Sequence, residues 1–187
     1  MFLSAVSEWD LPAGVFHLNC LHGGAAVVIV IMGVVGSGKT TVGRLLAERL
    51  HCEFADGDDF HSQQSKDKIH RGIGLTDEDR WPWLDLLRDK IANWNGKGEN
   101  AVLACSALKE IYRKKLESGG PVTFVYLHGS VELIAARLRA RHGHFADEKI
   151  LASQIADLEE PQDAIAVDVS GTPDQIVFEI RQKLPVA

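Results

Sequence analysis

The chain has 187 residues, 45% hydrophobic and 25% charged, a balance that suits one domain with a sizeable core. Its formal charge of −6 argues against a protein that gains its affinity by neutralising nucleic-acid phosphates, so no nucleic-acid partner is expected. Cys20, Cys52 and Cys105 show neither CxxC nor Cys/His metal spacing, which points away from a disulfide framework or structural zinc and toward a reducing compartment.

Residues 1–24 hold no sustained helical or strand period and no Lys or Arg. They read as an appended, poorly ordered extension without the positive segment of a secretory signal, ahead of a domain spanning 25–187 and residing in the cytoplasm. The apolar run from Ala25 to Val35 is about half the roughly 20 residues that a membrane-spanning helix needs. It runs into glycines, so it reads as a buried strand and no membrane partner is expected.

Strand and helix alternate from there. Val27 to Met32 is apolar at every position, as a central parallel strand covered on both faces would be. Lys39 to Leu50 carries Val42, Leu45, Leu46 and Leu50 at helical spacing. Cys52 to Ala55 predicts a short strand and Gln63 to His70 a polar helix. Thr76 followed by Asp77, Glu78 and Asp79 is a helix start, with the helix running to about Asn95 and Pro82 tolerated near its beginning. Ala101–Cys105, Val122–Leu127 and Ile165–Val169 read as further strands. Leu108–Leu116, Val131–His142 and a segment opening at Pro173 read as helices. The succession predicts an α/β fold with a doubly wound parallel sheet of about five strands. The basic stretch from Arg137 to Phe145 is the one candidate mobile insert.

Gly33-Val34-Val35-Gly36-Ser37-Gly38-Lys39-Thr40 satisfies GxxxxGK[ST] between an apolar strand and an amphipathic helix. In such a loop the backbone amides of Gly33, Gly36, Ser37 and Gly38 cradle phosphate oxygens, Lys39 reaches the β and γ phosphates, and the Thr40 hydroxyl ligates Mg²⁺. The pattern implies ATP and Mg²⁺, but P-loops also serve motors and switches, so it leaves the acceptor open. Asp56-Gly57-Asp58-Asp59-Phe60-His61 lies just past the second strand, beside the loop. Phosphoryl transfer needs one carboxylate for Mg²⁺ or its waters and another to take the proton of the attacking hydroxyl, roles that Asp56 and Asp58 can divide. A solvated acidic turn is the competing reading.

Three more stretches, Gly72 to Leu84, Cys105-Ser106-Ala107-Leu108-Lys109 and Gly143-His144-Phe145, together with Leu158-Glu159-Glu160-Pro161, resemble the small gluconokinases in order and spacing. The resemblance covers Val28 to Leu184. It implies a P-loop kinase related in fold to shikimate kinase and the nucleoside monophosphate kinases, with a helical substrate region and a basic lid. The implied reaction moves the ATP γ-phosphoryl group to the 6-hydroxyl of gluconate, and the implied assembly is a homodimer. Carried over by position, Asp58 is the acceptor-side carboxylate and catalytic base with Lys39 as its catalytic partner. Asp56 and Thr40 stand on the Mg²⁺ side, His61, Arg80 and Lys109 in the substrate pocket, and Arg137 and Arg141 on the lid, facing phosphates. From the residues alone, Arg80 could equally pair with Asp77 or Glu78, and a pair of arginines spaced like Arg137 and Arg141 is more often a solvated face.

Four positions depart from that pattern. Val35 stands where serine is usual, Gly74 where proline is common, Glu110 where a base is usual and Lys114 where an acid is usual. A kinase for another small hydroxy acid, such as shikimate, is the alternative within enzymes. A nucleotide-dependent binding switch is the alternative outside them, although the chain lacks NKxD and its one DxxG, Asp168 to Gly171, lies near the C-terminus.

Overall fold

The computed structural model describes residues 26–142 and 145–185, with side chains described for 26–140 and 149–185. The extension expected at 1–24 lies outside these residues. Strand β1 (Val28–Met32) is buried at all five positions, because its even residues pack on one layer of helices and its odd residues on the other. It lies at the centre of a five-stranded sheet with β2 (Glu53–Asp56), β3 (Ala101–Ala104), β4 (Thr123–His128) and β5 (Ile165–Asp168), in the order β2-β3-β1-β4-β5. Every neighbouring pair is parallel, so each connection must cross over, and helices provide the crossovers.

Helix α1 (Lys39–Leu50) buries Val42, Leu46 and Leu50 with Ile29, Ile31 and Val102. Ile176, Val177 and Ile180 of α7 (Pro173–Lys183) join the same layer. Helix α3 (Asp77–Lys97) covers the other face with Trp83, Leu84, Leu87, Ile91 and Trp94. Fully burying one such aliphatic side chain contributes about 1.5–3 kcal/mol. A reciprocal cap fixes the start of α3: Asp79 N donates to Thr76 Oγ1 at 3.3 Å and Thr76 N donates to Asp79 Oδ2 at 3.0 Å. The helix runs two residues past the expected Asn95 and stops at Gly98, where φ is 69°. Pro82 is its sixth residue, past the first turn, so the helix continues although proline has no N–H to donate to Glu78 O.

Helices α2 (Gln63–His70), α4 (Glu110–Glu117), α5 (Val131–His142) and α6 (Phe145–Asp157) complete the chain. Two boundaries move in ways that matter for chemistry. Strand β2 begins one residue later than expected and includes Asp56, which pairs with Ala104. The register therefore fixes this carboxylate, which is no longer part of a loose turn. Helix α4 begins at Glu110 and not at Leu108, because Ala107 takes φ 44° and Leu108 turns into a small core with Val34, Ile134, Leu138 and Leu151. The basic stretch expected to be a mobile insert is largely helical, with Arg137 inside α5.

After β1 the chain crosses to β2 on one side, and after β3 it crosses to β4 on the other. The crevice at this reversal, beyond the carboxyl ends of the strands, is where doubly wound sheets bind ligands. Gly33, Asp56 and Ser106 all stand at that edge. No helix among the described residues is long and apolar enough to cross a membrane.

Candidate active site

The loop between β1 and α1 can close on itself only with glycine at two points. At Gly33 φ is 141° and an added Cβ would lie 2.6 Å from Leu127 O. At Gly36 φ is 79° and a Cβ would lie 2.7 Å from Leu138 Cγ. Gly33 N donates to Ser106 O at 3.3 Å and Ser37 N to Val34 O at 3.2 Å, which pins the curl. Lys39 folds back so that Nζ donates to Val34 O at 2.9 Å. Burial holds its ammonium pKa below the ordinary lysine range, against the opposing pull of Asp58, Cys105 and Asp56. The Ser37 hydroxyl is fully buried and has no hydrogen-bond partner among the described residues, so the loop is built with a polar group still to be satisfied.

Thr40 Oγ1 donates to Asp56 Oδ2 at 2.7 Å, joining the first turn of α1 to the end of β2. The other oxygen, Asp56 Oδ1, accepts from Asp58 N at 3.1 Å and opens the 3₁₀ turn Gly57–Phe60. This hydroxyl and carboxylate supply hard oxygen donors beside the phosphate loop, the chemistry that suits Mg²⁺.

Asp58 projects from that turn with its side chain 81% exposed, and His61 Nε2 lies 3.9 Å from its Oδ1. Helix α3 holds the turn in place. Trp83 Nε1 donates to Gly57 O at 2.7 Å, and its ring stacks on His61 with centroids 4.4 Å apart. His61 Nδ1 is buried without a partner among the described residues. Desolvation depresses the imidazole pKa, while Asp58 opposes the shift.

A cavity of about 110 Å³ brings Val35, Lys39, Asp58, His61, Arg80, Trp83 and Ser106 together with Gly74, Leu75, Ile69 and the α6 residues Ile150, Ser153 and Gln154. Four of the expected site residues thus line one space. Arg80 is 8% exposed, and it has both a place at the cavity and acidic partners nearby. It lines the cavity, and its guanidinium also donates to Tyr112 Oη at 2.9 Å and Asp157 Oδ2 at 3.2 Å, with Asp77 Oδ1 at 3.7 Å.

Lys109 is not brought to that lining. As the N-cap residue of the late-starting α4 it donates to Asp77 Oδ1 at 2.8 Å, behind Arg80, and the pairing raises its pKa. Tyr112 also donates to Asp77. Lys109 therefore supports the Arg80 wall instead of facing the cavity. Two of the departures resolve as a pair, because Lys114 and Glu110 bridge each other at 2.5 Å, one turn apart on α4. Gly74 lies where an added Cβ would come within 2.9 Å of Ser153 Oγ, so its missing side chain lets α6 approach.

A second cavity, about 330 Å³, is lined by Gly36, Ser37, Gly38, Thr41, Val42, Arg137, Leu138, Gly171, Pro173 and Ile176. Arg137 donates to Val169 O at 2.5 Å, so the structure seats it beside the phosphate loop from a helix. The side chain of Arg141 lies outside the described residues. Cys105, next to Lys39, is buried and its thiol is pushed up to about 12, which makes it inert.

Sequence reasoning missed Trp83, Tyr112, Gln154 and Asp157 as site residues. Ile150, Ser153, Gln154 and Asp157 do repeat at i, i+3, i+4 and i+7, which marks one face of a helix. Nothing in that spacing says which cavity the face meets.

The shikimate kinase family model matches residues 35–185. A probable gluconokinase of Xenopus tropicalis is 42% identical over 173 residues, covering 82% of this chain and 91% of the relative. A thermosensitive gluconokinase of Escherichia coli K12 is 41% identical over 158 residues, covering 82% and 84%. Among solved structures, a gluconokinase of Sinorhizobium meliloti 1021 superposes with a TM-score of 0.73 at 42% identity, covering 81% of this chain and 87% of that one. An unliganded sugar kinase of Janibacter sp. HTCC2649 gives 0.79 at 40% identity, covering 88% and 96%. Shikimate kinase of Aquifex aeolicus, at 21% identity and a TM-score of 0.53, shares the fold. The chain belongs to the family that this model describes and, by its relatives, to the gluconokinases.

Proposed function

We propose that this chain transfers the γ-phosphoryl group of ATP to the 6-hydroxyl of D-gluconate, giving 6-phospho-D-gluconate and ADP. The observation that carries the reading is the cavity in which the phosphate-loop lysine Lys39, the carboxylate Asp58 and the guanidinium of Arg80 meet. A carboxylate-bearing, hydroxyl-bearing acceptor needs those three groups in one space.

Each residue then has a task. Arg80, its donor fork held by Tyr112 and Asp157, takes the acceptor carboxylate and sets the direction of the carbon chain. Asp58, exposed at the cavity wall, accepts the proton of the attacking hydroxyl. Lys39 and the loop amides offset the negative charge that moves between the oxygens. Arg137, beside Gly36 and Gly38, faces the nucleotide phosphates, and the family resemblance gives Arg141 the same task. Thr40 and Asp56 would hold Mg²⁺, which when bound neutralises charge on the β and γ phosphates. His61, clamped on Trp83, borders the acceptor, and Lys109 braces Arg80 through Asp77. The reading carries a cytoplasmic location and a homodimer as parts of the proposal.

Purified protein should consume ATP when gluconate is present and show little turnover without it, with 6-phosphogluconate identified as the product. Equal turnover with shikimate or other sugar acids in place of gluconate would overturn the substrate assignment.

A further inference from the structure

Helix α6 places Gln154 at the seam between the phosphate loop and the acceptor cavity. Val35 N donates to Gln154 Oε1 at 2.6 Å across 119 residues of sequence. The same side chain lines the cavity with Lys39, Asp58 and Arg80. Because the partner is an N–H donor, the atom facing Val35 must be the oxygen, so the orientation of this carboxamide follows from chemistry. Its other half, Nε2, is a donor only. It stands about 2.2 Å from the oxygen, on a planar group that the Val35 bond holds in one orientation.

We propose that Gln154 is a specificity-determining residue: Oε1 ties α6 to the phosphate loop at Val35, and Nε2 donates to one hydroxyl on the acceptor chain. This assignment rests on the gluconate reading above. Three further observations favour it. Val35 offers the cavity an apolar side chain, so the loop itself supplies no side-chain hydrogen bond to a polyhydroxy acceptor at that point. Arg80 fixes the carboxylate end and Asp58 the reacting end, which leaves the middle of the chain to be read from another wall. Helix α6 is held against that wall at two points, Gln154 to Val35 and Asp157 to Arg80, so its donor is presented without a further ordering cost.

A site built to hydrogen-bond a substrate hydroxyl rejects the analogue that lacks it, and loses that discrimination once its own donor is removed. The test compares wild type, Gln154→Leu and Gln154→Glu using gluconate and its 2-, 3-, 4- and 5-deoxy analogues, reading kcat/KM for each. Gln154→Leu should lower kcat/KM for gluconate about tenfold, the scale of one neutral hydrogen bond. For one analogue the wild-type penalty of about tenfold should shrink to less than about twofold in the variant. Gln154→Glu keeps an oxygen for Val35 N–H but replaces the donor with an acceptor, and should change the penalty at the same hydroxyl and at no other. Any general effect of its charge cancels in the ratio between gluconate and analogue. Wild-type penalties that persist unchanged in both variants, with wild-type gluconate turnover intact, would overturn the assignment of Gln154 alone. Absence of wild-type gluconate turnover would overturn the substrate reading and this assignment with it.

Discussion

The hydroxyl of Thr40 and the carboxylate of Asp56 lie 2.7 Å apart, although 16 residues of helix, turn and strand separate them. One is fixed by the first turn of α1 and the other by strand register, so the pair is held from two independent elements. Asp56→Asn keeps the hydrogen bond to Thr40 but removes the charge. It should raise the Mg²⁺ concentration needed for half-maximal activity by about tenfold or more, with little change in the melting temperature. Unchanged Mg²⁺ dependence would move the ion away from this pair.

Asp58 is exposed on the acidic turn and lines the cavity, with His61 Nε2 3.9 Å from its Oδ1. Asp58→Asn retains shape but cannot take a proton. Turnover should fall by about 10²- to 10⁴-fold while nucleotide affinity measured by titration stays within about twofold. Near-normal turnover would pass the base role to another group, with Asp59 the next carboxylate in the turn.

Tyr112, Asp157 and Asp77 share the Arg80 guanidinium and hold it at the cavity. Arg80→Lys keeps the charge but not the planar fork, and should raise KM for gluconate at least about tenfold with KM for ATP nearly unchanged. Tyr112→Phe should produce a smaller rise of the same kind. Equal weakening of both substrates in Arg80→Lys would assign the arginine to holding α3 and α6 together.

Stability should fall on acidification in two separate windows. His61 has its pKa depressed by burial from the ordinary 6.5, so below that value the unfolded chain binds the proton more readily than the folded one. Its contribution is intact above 6.5 and is lost as pH falls from there through the lowered folded value. His61→Phe, which keeps a ring on Trp83, should flatten the melting temperature across that window. Asp77 is held below its ordinary 3.8 chiefly by Lys109 and then by Tyr112, so its contribution is present above 3.8 and fades only in stronger acid. Asp77→Asn should make the second decline shallower and leave the first, because Asp79, Asp85 and Asp168 are held low in the same range. Thermal melts from pH 8 to pH 2 measure both, and a single unaltered decline in the two variants would contradict the assignment.

Local rules settled much of this protein before any tertiary structure entered. A strand apolar on both faces must lie inside a sheet, and a glycine loop between such a strand and an amphipathic helix folds into a phosphate cradle, so β1, the loop and α1 were legible from Val27 to Leu50. The capping box at Thr76 and the proline at Pro173 likewise depend on neighbours within one turn. Tertiary structure decided what short-range patterns do not encode. Strand pairing drew Asp56 into β2 and gave its carboxylate a fixed aim at Thr40. The left-handed turn at Ala107 delayed α4 and sent Lys109 to Asp77 instead of the cavity. Docking of α6 brought Gln154 to Val35 and Asp157 to Arg80, contacts that span 119 and 77 residues. Helical spacing on α6 shows that a face exists. Only the packing of the whole chain determines what that face meets, because the partners come from elements whose relative placement depends on every crossover between them.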